Sequence, residues 1–204
     1  MVKFSTAVGR LGSVAESLSA AEAWDGFIIT DAYVFGDLLN GPDSLEAVSV
    51  AFVVDLPVEE VPWHGHPPAA EALARLLRLD KVPVVRRWRP AAWPVWNHEI
   101  VRAVRFWSSS DGTENDTLAL LKQRRFDRLG YVGPPDGEEY LNQLRVERDA
   151  SRHHLHRVLD QYHDREWQRD HRGFGWHPED HLWWAAEAHL ELDKAIRGEL
   201  ADRE

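Results

Sequence analysis

The sequence predicts an α+β protein: a small mixed β-sheet with flanking helices, followed by a C-terminal helical region ending in a hairpin. Three observations predict it. Four segments rich in β-branched and aromatic residues, GFIITDAYVFG (26–36), AVSVAFVVD (47–55), VPVVRRW (82–88) and IVRAVRFW (100–107), are interleaved with helical spacing, and only up to about residue 110. Beyond SSSDGTEND (108–116), a small, polar stretch containing glycine, the pattern is wholly helical. The 204 residues are 44% hydrophobic and 28% charged, enough to bury a core in one domain or two small ones. The expected division is an α+β domain over 1–110 and a helical region over 111–204.

Each element has its own reason. Phe4, Val8, Leu11, Ala15 and Leu18 recur at four- and three-residue steps, the stripe of an amphipathic helix. The first strand ends at Gly36, and GPD (41–43) is turn chemistry. AVSVAFVVD is nearly all apolar, as a strand covered on both faces must be, and Leu56-Pro57 stops it. AAEALARLLRL (69–79) has helical spacing, and a Trp-rich loop, PAAWPVWNH, separates the last two strands. In the second half a helix is expected over Thr117–Leu129, then a break at GYVGPPDG. A long helix follows from Asp136, with Asp136 as N-cap and Glu139 three residues on, to about Asp164. The last helix opens at HPED, where Pro178 suits the first helical position and Glu179 and Asp180 suit its dipole.

Composition excludes several functions. With no cysteine, disulfides, thiol catalysis and cysteine-held metals are ruled out. No apolar run approaches ~20 residues, so no membrane-spanning helix is expected. The start, MVKFSTAVGRLGSVAES, has no signal-type apolar region, which points to the cytoplasm. A net charge of −10 disfavours general nucleic-acid coating. Residues 75–107 run against that balance: Arg75, Arg78, Lys81, Arg86, Arg87, Arg89, Arg102 and Arg105 face only Asp80 and Glu99. Such a stretch suits an anion site or an internal interface.

The run FGDLLNGPDSLEAVSVAFVVD (35–55) carries the one recognisable motif. A strand, a Gly-bounded turn and a second buried strand, after a helix, resemble the nucleotidyltransferase superfamily over about residues 1–90. Gly36 matches its first turn glycine, with Asp37 in place of serine, and Gly41 stands for the second. Ser44-Leu45-Glu46 falls where that superfamily carries an Asp-x-Asp pair, and Arg86 and Arg87 lie where its third carboxylate would be. Nucleotidyl transfer uses two divalent ions held by converging carboxylates. One glutamate and a serine cannot supply that. The resemblance therefore implies a degenerate site, with Asp37, Asp43 and Glu46 the candidate carboxylates of any remaining activity. The whole chain is also similar to an uncharacterised bacterial family with no assigned activity.

Other constellations have both functional and structural readings. Eight of eleven histidines lie between His153 and His189, and His153, His156 and His163 share a helical face with Asp149 and Asp160. A solvated polar face explains this without a metal. Trp88, Trp93 and Trp96 beside the arginines suit base stacking or, more simply, packing. Arg148 projects among Leu141, Leu144, Leu155 and Leu159, and Asp193 projects from the last helix among Leu182, Ala186 and Ile196, so an Arg148–Asp193 pair across the hairpin is expected.

The sequence reading is thus a cytoplasmic, non-catalytic, nucleotidyltransferase-like module that binds a phosphate-bearing ligand, such as a nucleotide, or a protein partner. Its ligand site would combine Gly36 and Gly41 with Arg86, Arg87 and Arg89. The alternatives are an active metal-dependent nucleotidyltransferase with altered carboxylates and a purely structural interaction module. No cofactor is expected, Mg²⁺ entering only with the transferase alternative.

Overall fold

The computed structural model describes residues 1–77, 79, 84–172 and 176–202. The chain forms two compact units: Met1–Pro57 with His66–Pro134, and Val58–Gly65 with Pro135–Glu204.

The first unit is built on a mixed sheet. After a short strand β1 (Val2–Lys3), helix α1 (Phe4–Ala21) buries Phe4, Ala7, Val8, Leu11, Val14, Ala15 and Leu18, the expected stripe. Strand β2 (Ile29–Phe35), a 3-10 turn (Gly36–Asn40), the short β3 (Ser44–Leu45) and β4 (Val48–Val54) follow. Helix α2 (Pro68–Leu76) leads to β5 (Val84–Pro90), and a loop leads to β6 (Ala103–Ser108). The described strands lie in the order β5-β4-β2-β6, with β7 (Gly112–Thr113) and β8 (Tyr131–Val132) both pairing with β6. Among the described strands only β4 and β5 run parallel, and β1 pairs separately with β3. Arg78 of the expected helix, Val82 and Pro83 of the expected strand, and Asp80 and Lys81 between them lie outside the described residues.

Side chains opposite one another in the register share a face of a sheet. Ala32, Phe52 and Trp88 lie in one row and Val34, Val50 and Arg86 in the next. This is the face that α1 and α2 cover: Trp107, opposite Ala32, donates its indole N–H to Ser19 Oγ of α1 at 2.8 Å, and Trp88 reaches Glu71 of α2. Tyr33, Ala51, Arg87 and Arg105 lie on the other face, as do Asp31, Val53 and Arg89.

The expected linker at 108–116 is not a boundary. Residues 109–111 turn the chain back so that β7 pairs with β6, and α3 (Asn115–Lys122) and β8 complete the same unit. The helix expected over 117–129 is short. Arg124 takes a left-handed conformation (φ 58°), α3 stops before it, and a 3-10 turn covers Phe126–Arg128.

The second unit contains α4 (Glu138–Gln161), α5 (Arg165–Asp170) and α6 (Pro178–Ala201), with α4 and α6 packed together as the expected hairpin. Gly137, not Asp136, is the residue before α4. His177 and Asp180 form a capping box at the start of α6, with Pro178 at its first position. No helix among the described residues is long and apolar enough to cross a membrane.

Candidate functional site

The Gly-bounded turn forms where expected, and it is held from within its own unit. Gly36 and Gly41 both adopt positive φ (73° and 67°), which glycine tolerates. The arginine at this turn is Arg124, not one of the three on β5. Its Nη1 donates to Gly41 O at 2.7 Å, its Nη2 to Asp43 Oδ1 at 3.1 Å, and its guanidinium lies 4.4 Å over the Phe4 ring. Phe126 packs so closely that a Cβ on Gly41 would meet its ring at 2.7 Å. Asp37, Asp43 and Glu46 are exposed. Among the described residues, no three His, Cys, Asp or Glu side chains come together in a group that could hold a metal ion.

The three β5 arginines do not converge. A strand alternates its side chains, so Arg86 projects to the helix-covered face and Arg87 and Arg89 to the other. Each is engaged within the unit. Arg86 Nη2 donates to Glu71 Oε2 at 3.3 Å. Arg87 grips Glu99 through Nε (3.1 Å) and Nη2 (3.1 and 3.0 Å). Arg89, 1% exposed, donates to Pro94 O at 2.8 Å and Trp96 O at 3.2 Å, so it holds the Trp-rich loop down. Asn97 completes that loop, its side-chain oxygen accepting from the backbone N–H groups of Glu99 (3.0 Å) and Ile100 (2.9 Å). Trp88 and Trp96 are buried packing anchors, and Trp93 is partly exposed with Arg89 5.8 Å from its ring.

Two further arginines of the stretch are engaged elsewhere. Arg102 lies 3.7 Å over the Tyr131 ring, and Arg105 meets Glu114 (2.5 Å), Asp31 (3.3 Å) and Asp111 (3.3 Å). Among the described residues, Arg86, Arg87 and Arg105 meet acids from three different segments, while Arg89 and Arg102 meet carbonyls and a ring.

Glu71 is the group the sequence reading missed. It is buried in the first turn of α2 and accepts from Trp88 Nε1 (3.0 Å), from Arg86 and, with Nδ1 protonated, from His66 (3.1 Å). Burial pushes its carboxyl up. The hydrogen bonds from His66 and Trp88, with the Arg86 charge, outweigh burial and hold it below the ordinary value. A buried carboxylate steering an imidazole is an arrangement used by general bases, but here the same carboxylate also satisfies an indole and a guanidinium. Its role is to tie α2 to β5. A signal was present: an acid next to Ala70, Leu73 and Ala74 on a helix leading to a strand with arginine on its covered face.

In the second unit the expected Arg148–Asp193 pair is absent. Arg148 Nη2 donates to its neighbour Asp149 at 3.0 Å, and Asp193 binds Arg197 one turn along α6. The buried stripe of α4 runs through Tyr140, Leu141, Leu144, Glu147, Ser151 and Val158, one residue away from the expected face. Glu147, 1% exposed, accepts from Gln143 Nε2 at 3.0 Å.

His153 and His156 are exposed on α4, and His163 is exposed just beyond its end. A different set gathers. Trp167 stacks on His171 (4.1 Å, 20°), His171 meets His181 edge-on (4.8 Å), and Trp184 packs against His181 (5.2 Å). Burial, then the Arg157 charge and the His181 and His171 rings, push His154 down to about 4, so it is neutral at pH 7. Trp167, His171, His181 and Trp184, each partly exposed, form a cluster of rings around α5 and the start of α6.

A family model described as "Domain of unknown function (DUF7711)" matches residues 2–198. The chain belongs to this family. No curated protein and no solved structure matches it. The DUF7711 match spans both units.

Proposed function

We propose that the protein is a non-catalytic, nucleotidyltransferase-like module that acts by binding a protein partner. One observation carries this reading: Arg86, Arg87 and Arg89, the donors a phosphate site would need, are bound to Glu71, Glu99 and the carbonyls of Pro94 and Trp96. A phosphate would have to displace a buried or bidentate internal partner to reach any of them. The exposed, separate placement of Asp37, Asp43 and Glu46 supports the non-catalytic half.

The test is thermal denaturation with nucleoside triphosphates, with and without Mg²⁺ or Mn²⁺, beside an assay for label incorporation. The midpoint is expected to stay within about 1 °C, with no incorporation. Incorporation that disappears in Glu46→Ala would establish the transferase alternative. Metal-independent stabilisation by nucleotide that disappears in Arg86→Gln would restore the phosphate-binding reading.

A further inference from the structure

Helix α6 buries one stripe, Ala185, Ala188, Leu192 and Ile196, and leaves a second stripe in solvent. That second stripe is Trp183, Glu187, Leu190, Lys194 and Arg197, at steps of four, three, four and three, which keeps five side chains in line along one side of a helix. Trp183 is 66% exposed and Leu190 62%, although both are large apolar side chains that cost free energy in water. Lys194 and Arg197 are exposed beside them, Arg197 with its guanidinium bonded to Asp193 one turn back and its planar face open, and Glu187 is partly exposed.

The order of these residues is self-complementary. Place a second α6 antiparallel to the first, with a two-fold axis at Leu190. Leu190 then meets Leu190 of the other copy, Glu187 meets Lys194, and Trp183 meets Arg197, each contact occurring twice. The three kinds of contact are apolar packing, an ion pair and a guanidinium over an indole. A two-fold contact requires one patch to complement itself, and this one does so in every layer. In a parallel arrangement like would face like, Glu187 on Glu187 and Lys194 on Lys194. Fourteen residues separate Trp183 from Arg197, so the contact is about 21 Å long.

We propose that this face of α6 is a docking surface for a second copy of the chain, antiparallel and centred on Leu190. The inference does not depend on the non-catalytic reading, because nucleotide assays decide that reading and sedimentation decides this one.

The experiment is sedimentation equilibrium of the full chain up to about 1 mM, with circular dichroism as the check on folding. The wild type is expected to dimerise. Glu187→Lys and Lys194→Glu each place like charges opposite one another and are expected to weaken dimerisation about tenfold or more. The double variant Glu187→Lys/Lys194→Glu exchanges the charges and is expected to recover to within about threefold of wild type. Equimolar Glu187→Lys and Lys194→Glu chains are expected to form a mixed dimer in preference to either alone. Three results would overturn the proposal: a wild type monomeric throughout, single variants that associate as wild type does, or a double variant no better than the singles.

Discussion

Glu147 and Arg148 are neighbours in α4 with opposite fates: the carboxylate is buried beside Gln143, and the guanidinium turns away to Asp149. Losing the partner of a buried polar group costs more than losing that of an exposed one, so this one-residue offset decides which substitution matters. Arg148→Leu breaks a partly exposed pair and is expected to change stability by less than about 0.5 kcal/mol. Glu147→Ala leaves Gln143 without its partner and opens a small void, at an expected cost of about 1–3 kcal/mol. Urea denaturation of the two variants checks both values, and a reversed ranking would contradict the register described for α4.

Glu71→Leu is expected to cost about 3 kcal/mol or more at pH 7, because it strands Arg86 and the Trp88 indole N–H together. Its pH dependence has a defined sign. The folded-state carboxyl sits below the ordinary value of 4.5, so its stabilisation is complete above that pH and fades as pH falls through the lower folded value. The difference between wild type and Glu71→Leu should therefore narrow on acidification. Denaturation midpoints from pH 7 to pH 3 measure it, and a constant gap would show that the carboxylate is not held charged by its neighbours.

Acid should also act through His154. Its folded value of about 4 lies below the ordinary 6.5, so the unfolded chain takes up the proton first as pH falls. Stability from this site is complete above about 6.5 and is lost progressively between there and about 4, by roughly 3 kcal/mol in all. His154→Gln is expected to flatten that limb of the stability curve. An unchanged slope between pH 6.5 and 4.5 would mean that the ring is protonated in the folded state.

Gly41→Ala tests the turn. The backbone there is left-handed and the added Cβ would stand 2.7 Å from Phe126, so a loss of about 1–3 kcal/mol is expected. Combining it with Phe126→Ala removes the clash but not the backbone strain, so the Gly41→Ala penalty should be smaller when measured in the Phe126→Ala background. Equal penalties in the two backgrounds would show that φ alone matters.

The legible part of this fold is its local chemistry. Val48–Val54 stands out because a strand covered on both faces must be apolar at nearly every position, and α1 because its apolar steps repeat over five turns. The face of α4 is harder to read. Its buried residues Leu144, Ser151 and Val158 recur every seven positions, while an ideal helix drifts ~20° from that repeat in each heptad, so a wheel drawn over the whole helix blurs which side is covered. Alternation along β5 already separates Arg86 from Arg87 and Arg89, yet their partners Glu71 and Glu99 arrive from different segments. Arg124 was out of reach. Its place at the turn depends on a left-handed backbone at a residue other than glycine and on a contact more than eighty residues distant.

The segment Val58–Gly65 gives the chain a woven order. Between β4 and α2 it belongs to the helical unit, where Trp63 Nε1 and His64 Nε2 both bind Glu191 of α6, at 3.0 and 2.9 Å, and where Arg157 holds Glu59 O. Two residues later His66 is fastened to Glu71 in the sheet unit. Neither unit is therefore a single stretch of gene. A fragment starting at 135 lacks the segment that binds Glu191, and one ending at 134 carries Trp63 without Glu191. Dissection of this protein has to proceed by point substitution or by permuting the termini, because no single cut yields either half whole.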